Sequence, residues 1–196
     1  MDATTFRWIT LTFLLGVAGL AAAPEQANPK TAFELIKAGN EELAPKARDQ
    51  VLYMESEPSE YGLVPTIWRI VYYDQSTAFD SRSIVFQNNR LEKVGKPFRP
   101  TQPLKGTESV IPLRWRKVDS DKVLEIVAAR PEVKDLKLLS SQMWLKWEQG
   151  QPVWKVKLWA KHYFTDAKVE IGDLFVSPST GEVMLVDLDL KPLSKR

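Results

Sequence analysis

An α+β fold is predicted, built as two tandem copies of a helix packed on a small antiparallel four-stranded sheet and preceded by an N-terminal signal peptide. Three observations predict it. One order of features, a helix followed by four strand candidates, occurs twice in the 196 residues. The strand candidates alternate in polarity or are rich in β-branched and aromatic residues. Residues 1–23 have the layout of a secretory leader.

The leader is read first. Arg7 supplies a positive charge, residues 8–20 are apolar apart from Thr10 and Thr12, and Ala21-Ala22-Ala23 offers small residues before Pro24. The apolar stretch is shorter than the roughly 20 residues that cross a bilayer as a helix, so export with cleavage is preferred to a membrane anchor. Cleavage after Ala23 fits the small-residue pattern, and cleavage after Ala21 avoids a scissile bond next to Pro24. The expected location is periplasmic or extracellular.

The first copy is assigned to residues 28–95. Thr31 with Glu34 fits a capping box, and Phe33, Ile36 and Leu43 recur at spacings compatible with one apolar helix face. Strands are expected over 50–56, 66–73, 81–86 and 91–94, with Asn88-Asn89 suited to a tight turn. A connector at 96–118 carries Pro97, Pro100, Pro103 and Pro112, a composition that resists helix and central strand. The second copy is assigned to 119–196. Asp119-Ser120-Asp121 offers N-cap residues, Pro131 stops the helix, and strands are expected over 136–148, 152–162, 169–176 and 182–190. Trp68-Arg69-Ile70-Val71 matches Trp154-Lys155-Val156-Lys157, and Ile84-Val85-Phe86 matches Leu174-Phe175-Val176.

Composition narrows the functional classes. With 44% hydrophobic and 27% charged residues the chain can bury a core. The absence of Cys excludes disulfides, thiolate metal sites and a Cys nucleophile, and the single His makes any Ser-His-Asp triad depend on His162. Glycines stand alone, with no phosphate-cradling loop or dinucleotide fingerprint. A net charge of +2 is too small to argue for nucleic acid. It is unevenly spread: residues 24–95 carry 8 Lys+Arg against 11 Asp+Glu, a net of −3, and residues 96–196 carry 18 against 13, a net of +5. No enzyme activity, cofactor or metal is expected. His162 with Asp166, Glu170 and Asp173 is read as a strand-end His among surface acids, and hydrolase chemistry ranks last.

Gly150-Gln151-Pro152-Val153-Trp154-Lys155-Val156-Lys157 and Ser179-Thr180-Gly181-Glu182-Val183 are similar to the glycine turn, aromatic strand and terminal hairpin of PepSY-type domains. The resemblance covers about 70 residues of the second half; the first half follows by repetition, since Gln87-Asn88-Asn89-Arg90-Leu91 lacks the Thr-Gly-Glu signature. It implies a non-catalytic module of the envelope or the exterior, in some members one that restrains peptidases. A tandem pair also resembles the two-repeat β-lactamase inhibitor proteins in architecture.

Alternation along the second-copy strands singles out a surface. Trp154, Val156, Leu158 and Ala160 share the core face of their strand, and Lys155, Lys157, Trp159 and Lys161 share the other, with Trp144 and Lys146 alternating similarly on the neighbouring strand. These six residues, Trp144, Lys146, Lys155, Lys157, Trp159 and Lys161, form the candidate partner-binding site. An envelope or secreted protein is the expected partner, a peptidase among the classes implied; cell-wall polysaccharide stacked on Trp rings is the alternative. The bland counterpart is a solvated face with Lys stems over Trp rings.

Overall fold

The computed structural model describes residues 28–77, 79–96 and 109–194. Two short helices share one design. In α1 (Ala32–Asn40) the buried residues are Ala32, Leu35, Ile36 and Gly39, and in α2 (Ser120–Ala128) they are Ser120, Val123, Leu124 and Val127. Both sets run i, i+3, i+4, i+7, the stripe of a helix with one covered face. Thr31 and Glu34 close the capping box on α1, and the Asp119 carboxylate caps α2 by accepting from the Ser120 N–H at 2.6 Å.

The strands are β1 (Val51–Ser56), β2 (Ile67–Tyr73), β3 (Ser81–Gln87), β4 (Arg90–Gly95), β5 (Leu138–Glu148), β6 (Gln151–Lys161), β7 (Lys168–Val176) and β8 (Val183–Leu188). They form one antiparallel sheet in the order β4-β3-β2-β1-β5-β6-β7-β8. Asn88 and Asn89, both at positive φ, make the two-residue turn between β3 and β4. A bulge between β6 and β7 is set by Gly172 at φ +116°, where an added Cβ would lie 2.2 Å from the Asp187 carbonyl oxygen.

The expectation of two tandem copies, each a helix on its own four-stranded sheet, is overturned by this single eight-stranded sheet with two short helices. The physical reason lies in β1. It pairs with β2 on one side and with β5 on the other, so the edge that would bound each small sheet is consumed by the other half, and its N–H and C=O groups are satisfied there. The core is shared as well. Phe33 of α1 stacks on Trp154 of β6 with ring centroids 6.0 Å apart, and Trp68 of β2 meets the same indole edge-on at 6.5 Å. The first N–H groups of α1 donate to the α2 cap: Ala32 to Ser120 Oγ at 2.9 Å and Phe33 to the Asp119 carboxylate at 3.1 Å. One cluster runs from Leu35 and Ile70 through Leu145 and Trp154 to Val176.

The predicted leader and residues 97–108 of the predicted connector lie outside the described residues. From 109 onward the connector is anchored under the sheet junction. Ile111 is fully buried and donates its N–H to the Val51 carbonyl at 2.7 Å. Among the described residues no helix is long and apolar enough to cross a membrane.

Candidate functional site

Both helices pack on one sheet face, so the chemistry of the other, helix-free face is what strand alternation leaves for a partner. Register fixes it. Lys93, Val85, Arg69, Glu55, Trp144, Lys155, Phe175 and Leu185 stand directly opposite one another in succession, one residue from each strand. Directly paired residues share a face, so these eight form one cross-sheet row, about 34 Å long at ~4.8 Å per strand. Every member is half-buried or exposed. Val71 and Val153, on the same face, are at most 2% exposed although they lie outside the helix-side cluster.

All six predicted site residues lie on this face. Trp144 and Lys155 are cross-strand partners, and Lys157 pairs with Gln142 and Asp173 in the next row. Each lysine also has an acid beside it. Lys155 Nζ lies 2.9 Å from Asp173 Oδ2 and sits over the Trp144 and Phe175 rings at 5.5 and 5.7 Å. Lys157 Nζ donates to Glu170 Oε1 at 2.6 Å, and that hydrogen bond, opposed by partial burial, holds its pKa above the usual lysine value. Lys146 pairs with Glu148, and Lys161 reaches Asp166 at 2.5 Å. Trp159 lies under the Lys168 ammonium at 5.0 Å. This half of the face is therefore a lattice of neutralised charges with aromatic rings between them. Such pairs hold side chains in place more than they add stability, at about 0–1 kcal/mol each.

The structure adds residues the sequence reading missed. Arg69 and Glu55, joined at 2.9 Å, continue the row into the first half, and Phe175 completes the aromatic pair around Lys155. Alternation alone places Arg69 and Phe175 on the second face of their strands. No sequence signal says that β1 borders β5, and without that pairing the two halves of the row cannot be joined.

Of the acids near His162, Asp166 pairs with Lys161, Glu170 with Lys157 and Asp173 with Lys155. Asp189 Oδ1 accepts from the Lys191 N–H at 3.0 Å just beyond β8, and His162 Nδ1 accepts from the Phe164 N–H at 3.2 Å. Among the described residues no three His, Asp or Glu groups are placed to hold a metal ion. Compared with known proteins, the chain matches no family model, no curated protein and no solved structure.

Proposed function

We propose that the chain is an exported, non-catalytic binding module whose helix-free sheet face engages an envelope or secreted protein. The observation that supports this most directly is the eight-strand row from Lys93 to Leu185, which presents half-buried aromatic rings held between paired charges. Interface hot spots favour such a setting: aromatic anchors with little side-chain entropy left to lose, set among polar groups already oriented. The lysines act by register rather than by net attraction, since Lys155 and Lys157 already have Asp173 and Glu170 beside them. A peptidase remains the partner class that the PepSY resemblance implies.

Stacking on a polysaccharide takes second place. A sugar needs an open indole face, and ammonium groups lie over Trp144 and Trp159. The test is capture from the envelope and secreted fraction with C-terminally tagged protein, beside the Trp144→Ala/Lys157→Gln variant. A single protein enriched by the parent chain and bound at least about tenfold more weakly by the folded variant supports the reading. Equal binding by both overturns it. Retention on insoluble wall polysaccharide that Trp159→Ala abolishes replaces it with the carbohydrate reading.

A further inference from the structure

Part of the positive charge on the helix-free face is gathered at its β2–β4 end without matching acids. A cleft of about 60 Å³ is lined there by Arg69 of β2, Ser83 and Val85 of β3, Lys93 and Gly95 of β4, and Lys96. Register explains its shape. Arg69, Val85 and Lys93 form one cross-strand row, and Ser83 and Gly95 form the adjoining one. At the end of that second row no side chain of the described residues fills the space: a Cβ on Gly95 would approach only Lys93 Cε, at 3.8 Å. The cleft is opened by a missing side chain and walled by cations.

Among the described residues most of the donors around it have no partner. Arg69 gives Nη1 to Glu55 at 2.9 Å, and its other guanidinium N–H groups have no partner among the described residues. Lys93 has no carboxylate partner there, and Lys96 rests over the Phe79 ring at 5.2 Å with no acid beside it. The hydroxyl of Ser83, a residue only 5% exposed, likewise lacks a hydrogen-bond partner among the described residues. Three cations against the one carboxylate of Glu55 leave a local charge of +2. On β5 and β6, by contrast, Lys146, Lys155, Lys157 and Lys161 each have an acid beside them.

We propose that this cleft binds a phosphate group. The charge matches a dianion, the volume admits about four water-sized spheres and so one tetrahedral oxyanion rather than a whole cofactor, and the residues that line it bring a guanidinium, two ammoniums and a hydroxyl as donors. The ligand's remainder lies outside the cleft, so the phosphate is either free or the exposed ester of a larger molecule. The assignment does not rest on the protein partner proposed for this face, although Arg69, Val85 and Lys93 belong to the same cross-sheet row.

The experiment is amide NMR of the full chain titrated with inorganic phosphate and, separately, glycerol phosphate at pH 7.5, with ionic strength held constant by chloride. The expected result is saturable shifts confined to Ser83, Lys93, Gly95 and their neighbours. Tighter binding of glycerol phosphate identifies an ester ligand, and tighter binding of inorganic phosphate a free ion. Lys93→Gln, at an exposed edge-strand position, should weaken binding about fivefold, the loss of one partly solvated charge contact. Gly95→Val should abolish binding by filling the cleft, and Lys122→Gln on α2 should leave it unchanged. Unsaturable shifts spread over all surface lysines, or binding that survives both Lys93→Gln and Gly95→Val in variants with native spectra, overturns the proposal.

Discussion

The two halves of the sheet use four strands each, but β1 to β4 have 6, 7, 7 and 6 residues whereas β5 to β8 have 11, 11, 9 and 6. The mismatch is sharpest where the halves meet. Register pairs on the β1–β5 border are Met54 with Leu145 and Glu55 with Trp144, so β5 runs on beyond the end of its partner. Its backbone groups are buried there and need other partners. Serines supply them. Met143 N–H donates to Ser56 Oγ at 2.9 Å, Ser141 N–H to Ser59 Oγ at 2.9 Å, and the Ser59 N–H returns to the Ser141 carbonyl at 2.8 Å. Ser56, Ser59, Ser140 and Ser141 are each at most 2% exposed. A short strand beside a long one is tolerated because hydroxyls stand in for the missing ladder.

The largest expected effect breaks the comparison at its shared core. Trp154 belongs to the second half but is fully buried against Phe33 and Trp68 of the first, with its indole N–H on the Val118 carbonyl at 2.9 Å. Trp154→Ala should cost about 3–5 kcal/mol. Because the core is common, urea unfolding followed by amide signals from both halves should still show one transition, shifted to lower urea. Separate midpoints for β2–β3 and β6–β7 amides would show that the halves fold independently.

A smaller effect sharpens the comparison at the border. Ser59→Ala removes the acceptor for the Ser141 N–H in a dry site, at a cost of about 1–3 kcal/mol for the group left unpaired. Hydrogen exchange at Ser141 should accelerate, and exchange at Ile70, in the interior of the first half, should follow only the global loss of stability. Unchanged exchange at Ser141 would mean that the Ser59 hydroxyl does not carry the border.

These sites differ in how far the sequence exposes them. The positions of all eight strands follow from alternation, β-branched content and turn residues such as Asn88-Asn89, because those signals are local. Two facts are not local. The β1–β5 pairing joins residues about 90 positions apart, and the meeting of the α1 N-terminus with Asp119 and Ser120 joins residues 86 and 88 apart. Repetition in the sequence suggests two independent units because it records similar local patterns, and it is blind to whether their edges are free. The candidate face was legible as far as alternation reaches: Lys155, Lys157 and Trp144 are placed on one face, but Asp173 and Glu170 as the neutralising partners of Lys155 and Lys157 depend on the register of β7, which the bulge at Gly172 shifts by one residue. The cleft around Gly95 left no sequence signal, since its residues come from three strands and its key feature is an absent side chain.

The smallest expected effect is a pH dependence that differs in sign between the two regions. Asp74, in the β2–β3 turn, has a buried carboxyl. Burial works to raise its pKa, but hydrogen bonds from the Ser76 hydroxyl at 2.6 Å and N–H at 3.0 Å and the Arg82 guanidinium at 2.8 Å outweigh it and hold it below the ordinary carboxylate value. A depressed folded pKa means that the unfolded chain binds protons first, so this contribution is complete above about pH 4 and is lost as pH falls through the folded value. Asp119, between the two helix starts, is the opposite case. Burial raises its pKa despite hydrogen bonds from the Thr31 side chain and the Ser120 and Phe33 N–H groups. Its folded form takes up the proton first, so its contribution is present at low pH and declines as pH rises through the raised value. Carboxyl titration by NMR should therefore place the Asp74 midpoint below that of Asp119. Asp74→Asn should cost about 1 kcal/mol at neutral pH and flatten the acid limb of the stability curve. An acid limb of unchanged steepness in Asp74→Asn would assign the acid sensitivity to groups outside the β2–β3 turn.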